Sequence, residues 1–569
     1  MRKRCAQEFV ISLLVLVFLN QIEGNGLSKE WSIIDEDLVN STGITNDQPT
    51  YLWPLPKKRS NGNVTVTVDP NLGLVIQGIG HNSSLVREAF ARYKNIILTH
   101  HVKFGNRNSE QNIEYSISKL IITVSTADET LQLGIDESYS LYVPVGDEHS
   151  IVQGAHLEAK TVYGALRGLE TFSQLCSFNF MTKNVEISNA PWFIQDKPRF
   201  AFRGLLLDTS RHYQPVEIIK QIIDSMSYAK LNVFHWHIVD EESFPLEIPS
   251  FPGLWKGSYT GWERYTFDDA HDIVEFAKSR GINVMAEIDV PGHAESWELK
   301  NITTSKIMHV KRGVGYPDLW PSADCREPLD VSKNFTFEVI ASILADFRKI
   351  FPFKLFHLGG DEVHTDCWTN TPKVKEWLDE HNMTARDAYQ YFVLRAQKLA
   401  INLGWTPVNW EETFNAFSEK LNPKTIIHNW LDSGVCPRAV GKGFKCIFSN
   451  QGVWYLDHLD VPWEKVYSSD PLEGIDDSSQ QKLVIGGEVC MWGETADASD
   501  VQQTIWPRAA AAAERLWSST DDTSSDLDTV LPRLEYFRCL LNQRGIPAAP
   551  VRNELARRPP SGFGSCYMQ

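Results

Sequence analysis

The chain lacks the features of several protein classes: it has no cysteine pair at metal-binding spacing and no long run of basic residues. None of its nine cysteines forms the C-x-x-C spacing of a structural zinc site. A formal net charge of −17 across 569 residues, without a basic block, argues against nucleic acid and anionic membranes as partners. We therefore expect no metal, no other cofactor and no nucleic-acid partner.

Long hydrophobic runs are missing after the N-terminus. Basic residues precede a short apolar run, Phe9 to Leu19, and small and polar residues follow it. This layout is typical of a secretory signal peptide, and the run is shorter than the ~20 residues of a membrane span. We predict a signal peptide over 1–24 and no stable membrane anchor. Vacuole or extracellular space, and monomer or homodimer, stay open.

Asparagine sequons agree with a glycoprotein of the secretory pathway, in which disulfides can form. The six N-x-[ST] sequons are at Asn40, Asn63, Asn82, Asn301, Asn334 and Asn382. Cys5 would leave with the signal peptide, and spacing alone does not pair the eight cysteines that remain.

Residues 51–195 predict a small α+β domain. Alternating or β-branched segments at 63–69, 119–126 and 139–145 are typical of strands, and apolar residues at helical spacing over 160–176 indicate a helix. Ionisable groups do not converge in this region. We therefore interpret it as a supporting domain.

A segment with two prolines, 189–200, is interpreted as a linker. It leads into 199–545, where the pattern of apolar residues changes. In that region near-continuous apolar runs alternate with amphipathic helical patterns, which indicates a parallel sheet covered by helices. The eight runs are 202–212, 232–241, 282–293, 354–362, 406–412, 425–430, 445–452 and 483–494. We predict an α/β fold, a (β/α)8 barrel over 199–545, and a C-terminal tail over 546–569.

Each run ends in polar or aromatic residues, and the active site of such a barrel lies at the carboxyl ends of its strands. The residues at these ends are Asp208, Arg211, Asp240, His293, Asp361, Glu362, Trp410, Glu411, Trp430, Asn450, Trp492 and Glu494. Aromatic faces stack on the C–H faces of a pyranose, and carboxylates and arginine bind its hydroxyls. The pattern therefore predicts a sugar-binding site at the mouth of the barrel that the carboxyl ends of its strands form.

Asp361 and Glu362 are adjacent, which is unusual for the two carboxylates of a glycosidase. A standard retaining enzyme places its nucleophile ~5–5.5 Å from the acid, across the substrate, whereas neighbours at a strand end diverge. An acid among aromatic groups and beside another carboxylate is suited to donate a proton near neutral or mildly acidic pH. A standard nucleophile would have to be Asp240, Glu411 or another carboxylate.

The segment HLGGDEV at 357–363 resembles the catalytic signature of the family 20 glycoside hydrolases, the β-N-acetylhexosaminidases. Further blocks resemble the family in family order: DTSRHY, HWHIVDEESFP, DVPGHAESW, GGEVCMWGE and WPRAAAAAERLW. YLWPLP and TVYGALRGLETFSQL resemble its N-terminal domain. The similarity covers nearly all of the mature chain and is greatest to plant vacuolar or secretory members.

This resemblance implies an exo-β-N-acetylhexosaminidase that releases terminal GlcNAc or GalNAc from N-glycans or chitooligosaccharides with retention. The family uses substrate-assisted catalysis, in which the 2-acetamido carbonyl oxygen of the substrate is the nucleophile. Glu362 would be the general acid and then the general base. Asp361 would orient the acetamido group and stabilise the oxazolinium intermediate.

The resemblance also implies roles for other residues. Arg211, helped by Glu494, would hold O3 and O4, and Tyr455 would hydrogen-bond the acetamido group. Asp457 would meet O6 and disfavour anionic sugars. The remaining expected site residues either wall the pocket or support the acid pair: Trp410, Trp430, Trp492, Asp240 and His293.

Two disulfides are implied by the resemblance, Cys325–Cys367 and Cys539–Cys566, of which the second would tie down the tail. The pairing of the other cysteines stays open, with Cys436–Cys446 as our guess. Cys176 and Cys490 are left without an assigned pairing.

The sequence departs from the family pattern after Trp297, where family members run directly into a GYP segment. Residues 298–312 intervene, and we interpret them as an insertion after the third barrel strand. The hypothesis is an artefact of splicing or of the gene model, and the alternative is a loop that modifies substrate access. Two alternative functions follow: a two-carboxylate retaining glycosidase, or a carbohydrate-binding homologue impaired by the insertion.

Overall fold

The computed structural model describes most of the chain after the N-terminal region. The described residues are 51–105, 116–145, 154–297, 319–322, 324–521, 523 and 525–552. The predicted signal peptide, the insertion 298–312, most of the C-terminal tail, Asn40, Asn301 and Cys566 lie outside them. The described residues form two compact units, one with 51–129 and 136–197, the other with 130–135 and the chain from 198 onward.

The first unit is a mixed sheet with two helices. Its strands are β1 (Lys58–Gln77), β2 (Ile117–Val124), β3 (Tyr139–Val143), β4 (Ala155–Ala159), β5 (Cys176–Asn179) and β6 (Asn184–Asp196). Its helices are α1 (Ser84–Phe104) and α2 (Val162–Leu175). The sheet order is β1-β2-β4-β3-β6-β5, and β1 also pairs with β6. The predicted α+β domain is thus confirmed.

Local sequence explains these elements. Buried and partly buried side chains alternate along β3 and β4, which is the pattern of a strand with one face on a core. Helix α2 begins after Thr161, whose hydroxyl accepts a hydrogen bond from Gly164 N at 3.2 Å and so caps the first turn.

The segment 189–200 is not a linker, because most of it belongs to β6. Strand β6 pairs with β1 on one side and with β3 on the other. Pro191 lies where the register between β1 and β6 shifts, beside Gly62, so its missing N–H falls at an irregularity in the ladder. The two prolines therefore misled the interpretation of the segment.

The second unit contains a closed barrel of eight parallel strands in sequence order, which confirms the predicted fold class. The strands are β7 (Phe202–Asp208), β8 (Val233–His237), β9 (Asn283–Glu287), β10 (Leu355–His357), β11 (Thr406–Trp410), β12 (Ile426–His428), β13 (Lys445–Phe448) and β14 (Val484–Met491). Most of their residues are buried on both faces. Helices and barrel interior together exclude water from them, and this explains the near-continuous apolar runs.

Helices and short helical turns connect the strands. The helices are α3 (Val216–Tyr228), α4 (Phe267–Lys278), α5 (Asn334–Ile350), α6 (Asp366–Asn370), α7 (Pro372–Glu380), α8 (Ala385–Asn402), α9 (Glu411–Phe417), α10 (Val435–Gly441), α11 (Gln451–Trp454), α12 (Trp463–Ser468), α13 (Ser478–Gln481), α14 (Val501–Ile505), α15 (Arg508–Trp517) and α16 (Leu527–Gln543). Three 3₁₀ turns are Leu254–Gly257, Glu295–Trp297 and Ser418–Lys420. Among the described residues, no helix combines the length and hydropathy required to cross a bilayer.

The barrel interior is built in layers. An apolar layer takes one side chain from each strand: Phe202, Val233, Met285, Leu355, Val408, Ile426, Ile447 and Ile485. Two residues further along several strands, the inward positions become polar: His235, Glu287, His357, His428 and Ser449 are all fully buried. A packed apolar base and a buried polar layer thus lie beneath the mouth.

Disulfides join Cys325 to Cys367 and Cys436 to Cys446. The first links the chain before α5 to the start of α6, a few residues beyond Glu362. Cys539 is also disulfide-bonded, while its expected partner lies outside the described residues.

Removal of a buried cation from helix α16 should destabilise the barrel unit. Arg533 on α16 binds both carboxylate oxygens of Glu514 on α15, at 2.7 and 2.8 Å, and Glu514 has no exposed surface. We expect Arg533→Leu to lower the free energy of unfolding by about 3–5 kcal/mol, because it leaves a buried charge uncompensated. Denaturant unfolding measures the loss.

The matched control is Lys442→Leu. Lys442 lies 2.7 Å from Glu419, and the two side chains are 47% and 80% exposed. This variant should lose no more than about 1 kcal/mol, the usual value of a surface ion pair. Equal losses in both variants would contradict the account of the Arg533–Glu514 pair.

Candidate active site

Loops at the carboxyl ends of the barrel strands bring the expected site residues to one mouth. Arg211 follows β7, Asp240 follows β8, His293 follows β9, and Asp361 and Glu362 follow β10. The aromatic and acidic residues from the other half of the barrel are Trp410, Trp430, Tyr455, Asp457, Trp492 and Glu494. The contacts described below connect most of these residues directly.

Arg211 is surrounded by carboxylates. Its guanidinium nitrogens lie 3.0 Å from Asp208, 2.8 Å from Asp240, 3.1 Å from Glu242 and 3.8 Å from Glu494. Burial would lower the pKa of Arg211, but these carboxylates outweigh burial and raise it above its usual range. The mouth therefore holds a fixed cation whose neighbours are hydrogen-bond acceptors, as a site for sugar hydroxyls requires.

Asp240 connects this arginine to the acid pair through His293. Asp240 Oδ1 bonds His293 Nδ1 at 3.0 Å, and His293 Nε2 lies 3.5 Å from Asp361 Oδ2 and 3.6 Å from Glu362 Oε2. Burial would lower the pKa of His293, but Asp361 and Asp289 outweigh it and raise it to about 12. A charged imidazolium thus faces both adjacent carboxylates.

The acid pair is held by unusual backbone geometry. Gly359 has φ +60°, and a Cβ there would approach Asp289 Oδ1 to 1.8 Å, so only glycine fits. Two non-glycine residues, His293 at φ +53° and Glu362 at φ +47°, also adopt the left-handed region. Such backbone costs about 1–3 kcal/mol per residue and is common at functional sites. It turns Glu362 outward, where its side chain is 55% exposed.

Asp289 is a site residue that sequence reasoning missed. It is 2% exposed, one of its oxygens lies within 4.8 Å of Asp361, and Gly360 N donates to its Oδ1 at 2.9 Å. Burial and the charge of Asp361 raise the pKa of Asp289 well above its usual range. Asp289 therefore releases its proton less readily than an ordinary carboxyl group does. Its position two residues after the end of β9 was the available signal.

Glu412, also missed, is a second acid beside Asp361. Trp430 Nε1 donates to both of its carboxyl oxygens at 3.0 Å. Burial and then the charge of Asp361 raise the pKa of Glu412 to about 8. A third missed carboxyl, Glu327, accepts a hydrogen bond from His293 N, and burial raises its pKa to about 7.

Aromatic side chains wall the mouth. Trp410 and Tyr455 pack in one buried cluster, against which the partly buried Trp430 and Trp492 lie. Trp430 and Tyr455 stack at 6.3 Å between ring centroids and 12° between planes, and the Trp492 ring lies 5.4 Å from the Arg211 guanidinium. This places flat apolar faces beside the charged residues, as a pyranose requires.

Two buried carboxylate oxygens at the mouth make no hydrogen bond within the described part of the chain: Asp361 Oδ1 and Asp457 Oδ1. A buried acceptor without a donor carries a desolvation penalty of about 1–3 kcal/mol. A ligand with N–H or O–H groups would relieve that penalty. These two oxygens therefore mark where donors from a ligand fit.

Two other predicted strand-end residues have structural contacts instead. Glu411 is 1% exposed, and its Oε2 accepts bonds from Trp430 N at 2.8 Å, Leu431 N at 3.2 Å and the Asn429 amide at 2.8 Å. Asn450 caps α11, accepting a hydrogen bond from Gly452 N at 2.8 Å. Glu411 therefore holds the backbone of the loop that follows β12.

Within the part of the chain that the structure describes, three groups of side chains have ligand atoms close enough to surround a metal ion. They are His235 with His428 and Glu488, His235 with Glu287 and His357, and Asp289 with His293 and Asp361. In the first two groups, imidazole nitrogens already face carboxylates at 2.6–3.1 Å. That arrangement is typical of a self-neutralising hydrogen-bond network in a barrel interior.

The opposite pKa shifts of Asp240 and Asp289 predict losses of different size for one chemical change. The surroundings of Asp289 disfavour its ionised form, so Asp289→Asn should alter the free energy of unfolding by less than about 1 kcal/mol. Asp240 is ionised, because His237, His293 and Arg211 outweigh burial and hold its pKa well below its usual range. Asp240→Asn should therefore cost about 3–5 kcal/mol.

Denaturant unfolding at several pH values tests this pair of variants. The deficit of Asp240→Asn should be complete above about pH 4, where an unfolded Asp is ionised, and should shrink as the pH falls further. Equal destabilisation by the two substitutions would contradict the opposite pKa shifts of Asp240 and Asp289.

Comparison with known proteins agrees with this geometry. The model of "Glycosyl hydrolase family 20, catalytic domain" matches residues 200–520, and that of "beta-acetyl hexosaminidase like" matches residues 52–175. Beta-hexosaminidase 1 of Arabidopsis thaliana is 64% identical over 535 residues, which cover 93% of this chain and 96% of that protein. The human beta-hexosaminidase subunit beta is 35% identical, covering 88% of each chain.

A solved structure is also similar. The chitobiase of Flavobacterium johnsoniae superimposes with a TM-score of 0.74 at 29% identity, covering 87% of this chain and 73% of that one. The family model spans more than half of the chain, and close relatives cover nearly all of it. The chain therefore belongs to glycosyl hydrolase family 20.

Proposed function

We propose that this chain is an exo-β-N-acetylhexosaminidase that cleaves terminal β-linked GlcNAc or GalNAc by retaining, substrate-assisted hydrolysis. The observation that carries the proposal is the pair of adjacent carboxylates at the carboxyl end of β10, Asp361 and Glu362, both facing His293. The pair stands in a mouth walled by tryptophans and supplied with an arginine. Relatives that cover nearly all of the chain are named beta-hexosaminidases.

The contacts of the other carboxylates support a nucleophile from the substrate. Asp240 is occupied by His237, His293 and Arg211, and Glu411 by backbone N–H groups. A two-carboxylate mechanism needs a carboxylate free to attack across the sugar. The ionic and hydrogen-bond partners of these two candidates count against that alternative.

Glu362 suits the role of general acid and base, since its exposed side chain can reach a leaving oxygen at the opening of the pocket. Asp361 suits the orientation of the acetamido group, because its buried Oδ1 has no donor among the described residues. An acetamido N–H would supply that donor. The developing positive charge of an oxazolinium ion would also lie beside this carboxylate.

The remaining roles follow the chemistry of the mouth. Arg211 and Glu494 would bind O3 and O4, and Asp457 would bind O6 through its unpartnered oxygen and repel a 6-sulfate. Trp410, Trp430 and Trp492 would contact the apolar faces of the sugar. Tyr455 would hydrogen-bond the acetamido group.

The setting that we propose is the secretory pathway, with the vacuole or the extracellular space as destination. The signal-peptide-like N-terminus supports it. The sequon asparagines that the structure describes are all exposed, as glycosylation requires: Asn63, Asn82, Asn334 and Asn382. Homodimer formation stays a prediction.

Substitution of the proposed acid should give a loss that depends on the leaving group. Glu362→Gln should lower kcat/KM for the 4-methylumbelliferyl glycoside of GlcNAc by about 10²–10⁴-fold. The loss should be smaller for a 2,4-dinitrophenyl glycoside, because that leaving group needs little protonation. Steady-state kinetics on both substrates measure the difference.

Two controls accompany Glu362→Gln. Asp361→Asn should lower kcat/KM by similar factors on both substrates, since Asp361 acts on the acetamido group. Glu241→Gln, an exposed carboxylate near the same mouth, should stay within about twofold of the wild type. An unchanged rate for Glu362→Gln would remove that residue from the acid role.

Replacement of the substrate's acetamido group should abolish turnover. We expect a 4-nitrophenyl β-glucoside, with a 2-hydroxyl group, to react at least on the order of 10³-fold more slowly than the 2-acetamido compound, because the intramolecular nucleophile is gone. Release of 4-nitrophenol measures both rates. Comparable turnover would instead support a two-carboxylate enzyme, and binding without turnover of either compound would support a carbohydrate-binding homologue.

A further inference from the structure

Glu287 is a fully buried carboxylate beneath the indole ring of Trp410, which we call the floor of the pocket. It is the last residue of β9, and none of its surface is exposed. Nitrogen atoms from three neighbouring strands surround its two oxygens: His235 and His237 on β8, His357 on β10 and Trp410 on β11. Such a cluster cannot touch a substrate, but it can determine where the residues above it lie.

One oxygen of Glu287 supports the pocket floor. Trp410 Nε1 donates to Glu287 Oε1 at 3.1 Å, and the Trp410 ring stacks on His428 at 4.3 Å and 25°. Rotation of the indole about its side-chain torsions would break a charge-assisted hydrogen bond in the buried interior. The bond therefore fixes the orientation of the aromatic face that meets the sugar.

The other oxygen supports the polar side of the mouth. His237 Nδ1 bonds Glu287 Oε2 at 2.6 Å, and His237 Nε2 bonds Asp240 Oδ2 at 2.8 Å. Burial would lower the pKa of His237, but Glu287 and Asp240 outweigh it and raise the pKa to about 10. Both ring nitrogens of this imidazolium donate, so it joins two carboxylates rigidly.

We propose that Glu287 is a positioning residue for the glycosidase reaction: it holds Trp410 and, through His237, Asp240 in a fixed relation around one sugar. This inference rests on the proposed function. Asp240 transmits the constraint, because it lies 2.8 Å from Arg211 and bonds His293 at 3.0 Å. Glu287 thereby aligns Trp410, Arg211 and His293, the histidine that faces the acid pair.

Glu488 offers a matched control in the same buried layer. It lies on β14, has no exposed surface, and its Oε1 is 2.7 Å from His235 Nδ1. Among the described residues, its contacts include neither Trp410 nor His237. Glu488→Gln therefore makes the same chemical change in the same network without touching the floor or Asp240.

The test compares Glu287→Gln, Glu488→Gln and wild type on 4-nitrophenyl N-acetyl-β-glucosaminide, from about pH 4 to about pH 9. We expect Glu287→Gln to lower kcat/KM by about 10–100-fold, as loss of a supporting partner does at comparable sites. The alkaline limb of its kcat/KM profile should move to lower pH. His237, whose wild-type pKa of about 10 lies above this range, loses one of the carboxylates that keep it protonated and adds a second ionisation to that of the proposed acid Glu362. Glu488→Gln should stay within about threefold of wild type, with an unmoved limb.

Near-UV circular dichroism and thermal unfolding check that the variants fold. Equal kinetic losses in both variants, or an unmoved alkaline limb in Glu287→Gln, would overturn the proposal, since either result marks a purely structural role. If Glu287→Gln does not fold, Glu287→Asp decides. It keeps the charge but is too short to reach both partners, so kcat/KM should fall with an unchanged pH profile, and a wild-type kcat/KM would overturn the proposal.

The wild-type rate distinguishes failure of the proposed function from failure of the proposed role of Glu287. A folded wild type that releases no 4-nitrophenol would overturn the proposed function and with it any role for Glu287 in that reaction. With an active wild type, the ratio of variant to wild-type kcat/KM bears on Glu287 alone.

Discussion

An ionised carboxylate with no exposed surface, Asp240, holds the mouth of the barrel together. Burial of such a charge costs several kcal/mol unless cations meet it. Arg211, His237 and His293 do so, from the ends of β7 and β8 and from the loop after β9. Each of these cations faces at least one further carboxylate, so charges of opposite sign alternate from Glu242 to the acid pair. Geometry at the mouth is therefore determined by charge pairing as much as by loop packing.

The other carboxyl groups near the acid pair differ from Asp240 in the direction of their pKa shifts. Asp289 and Glu412 both face Asp361 and lie in buried surroundings, and both have raised pKa values. Asp240, which faces cations, has a lowered one. The pKa of a carboxyl group in this mouth thus depends on whether its neighbours are anions or cations.

Much of the barrel could be predicted from the sequence, because strands buried on both faces have near-continuous apolar sequences. The strand ends also pointed to Arg211, Asp240, His293 and the acid pair. Glu411 and Glu412 illustrate what residue type and spacing do not predict. They are adjacent and identical in type, yet Glu411 binds the backbone of a loop, whereas Glu412 faces Asp361. Which of the two reaches the mouth depends on the path of the backbone, which residue type and spacing do not encode.

The chain on either side of 298–318 is anchored independently of the residues between. Trp297 is buried edge-on against Phe244, and the Ser296 hydroxyl bonds the backbone oxygen of Asp240. On the far side, Leu319 is buried and accepts a bond from Asp330 N at 2.8 Å, shortly before the Cys325–Cys367 disulfide. The entropic cost of closing a loop between fixed ends grows only slowly with its length. The contacts of Trp297 and Leu319 are therefore compatible with connections of different length between these two residues.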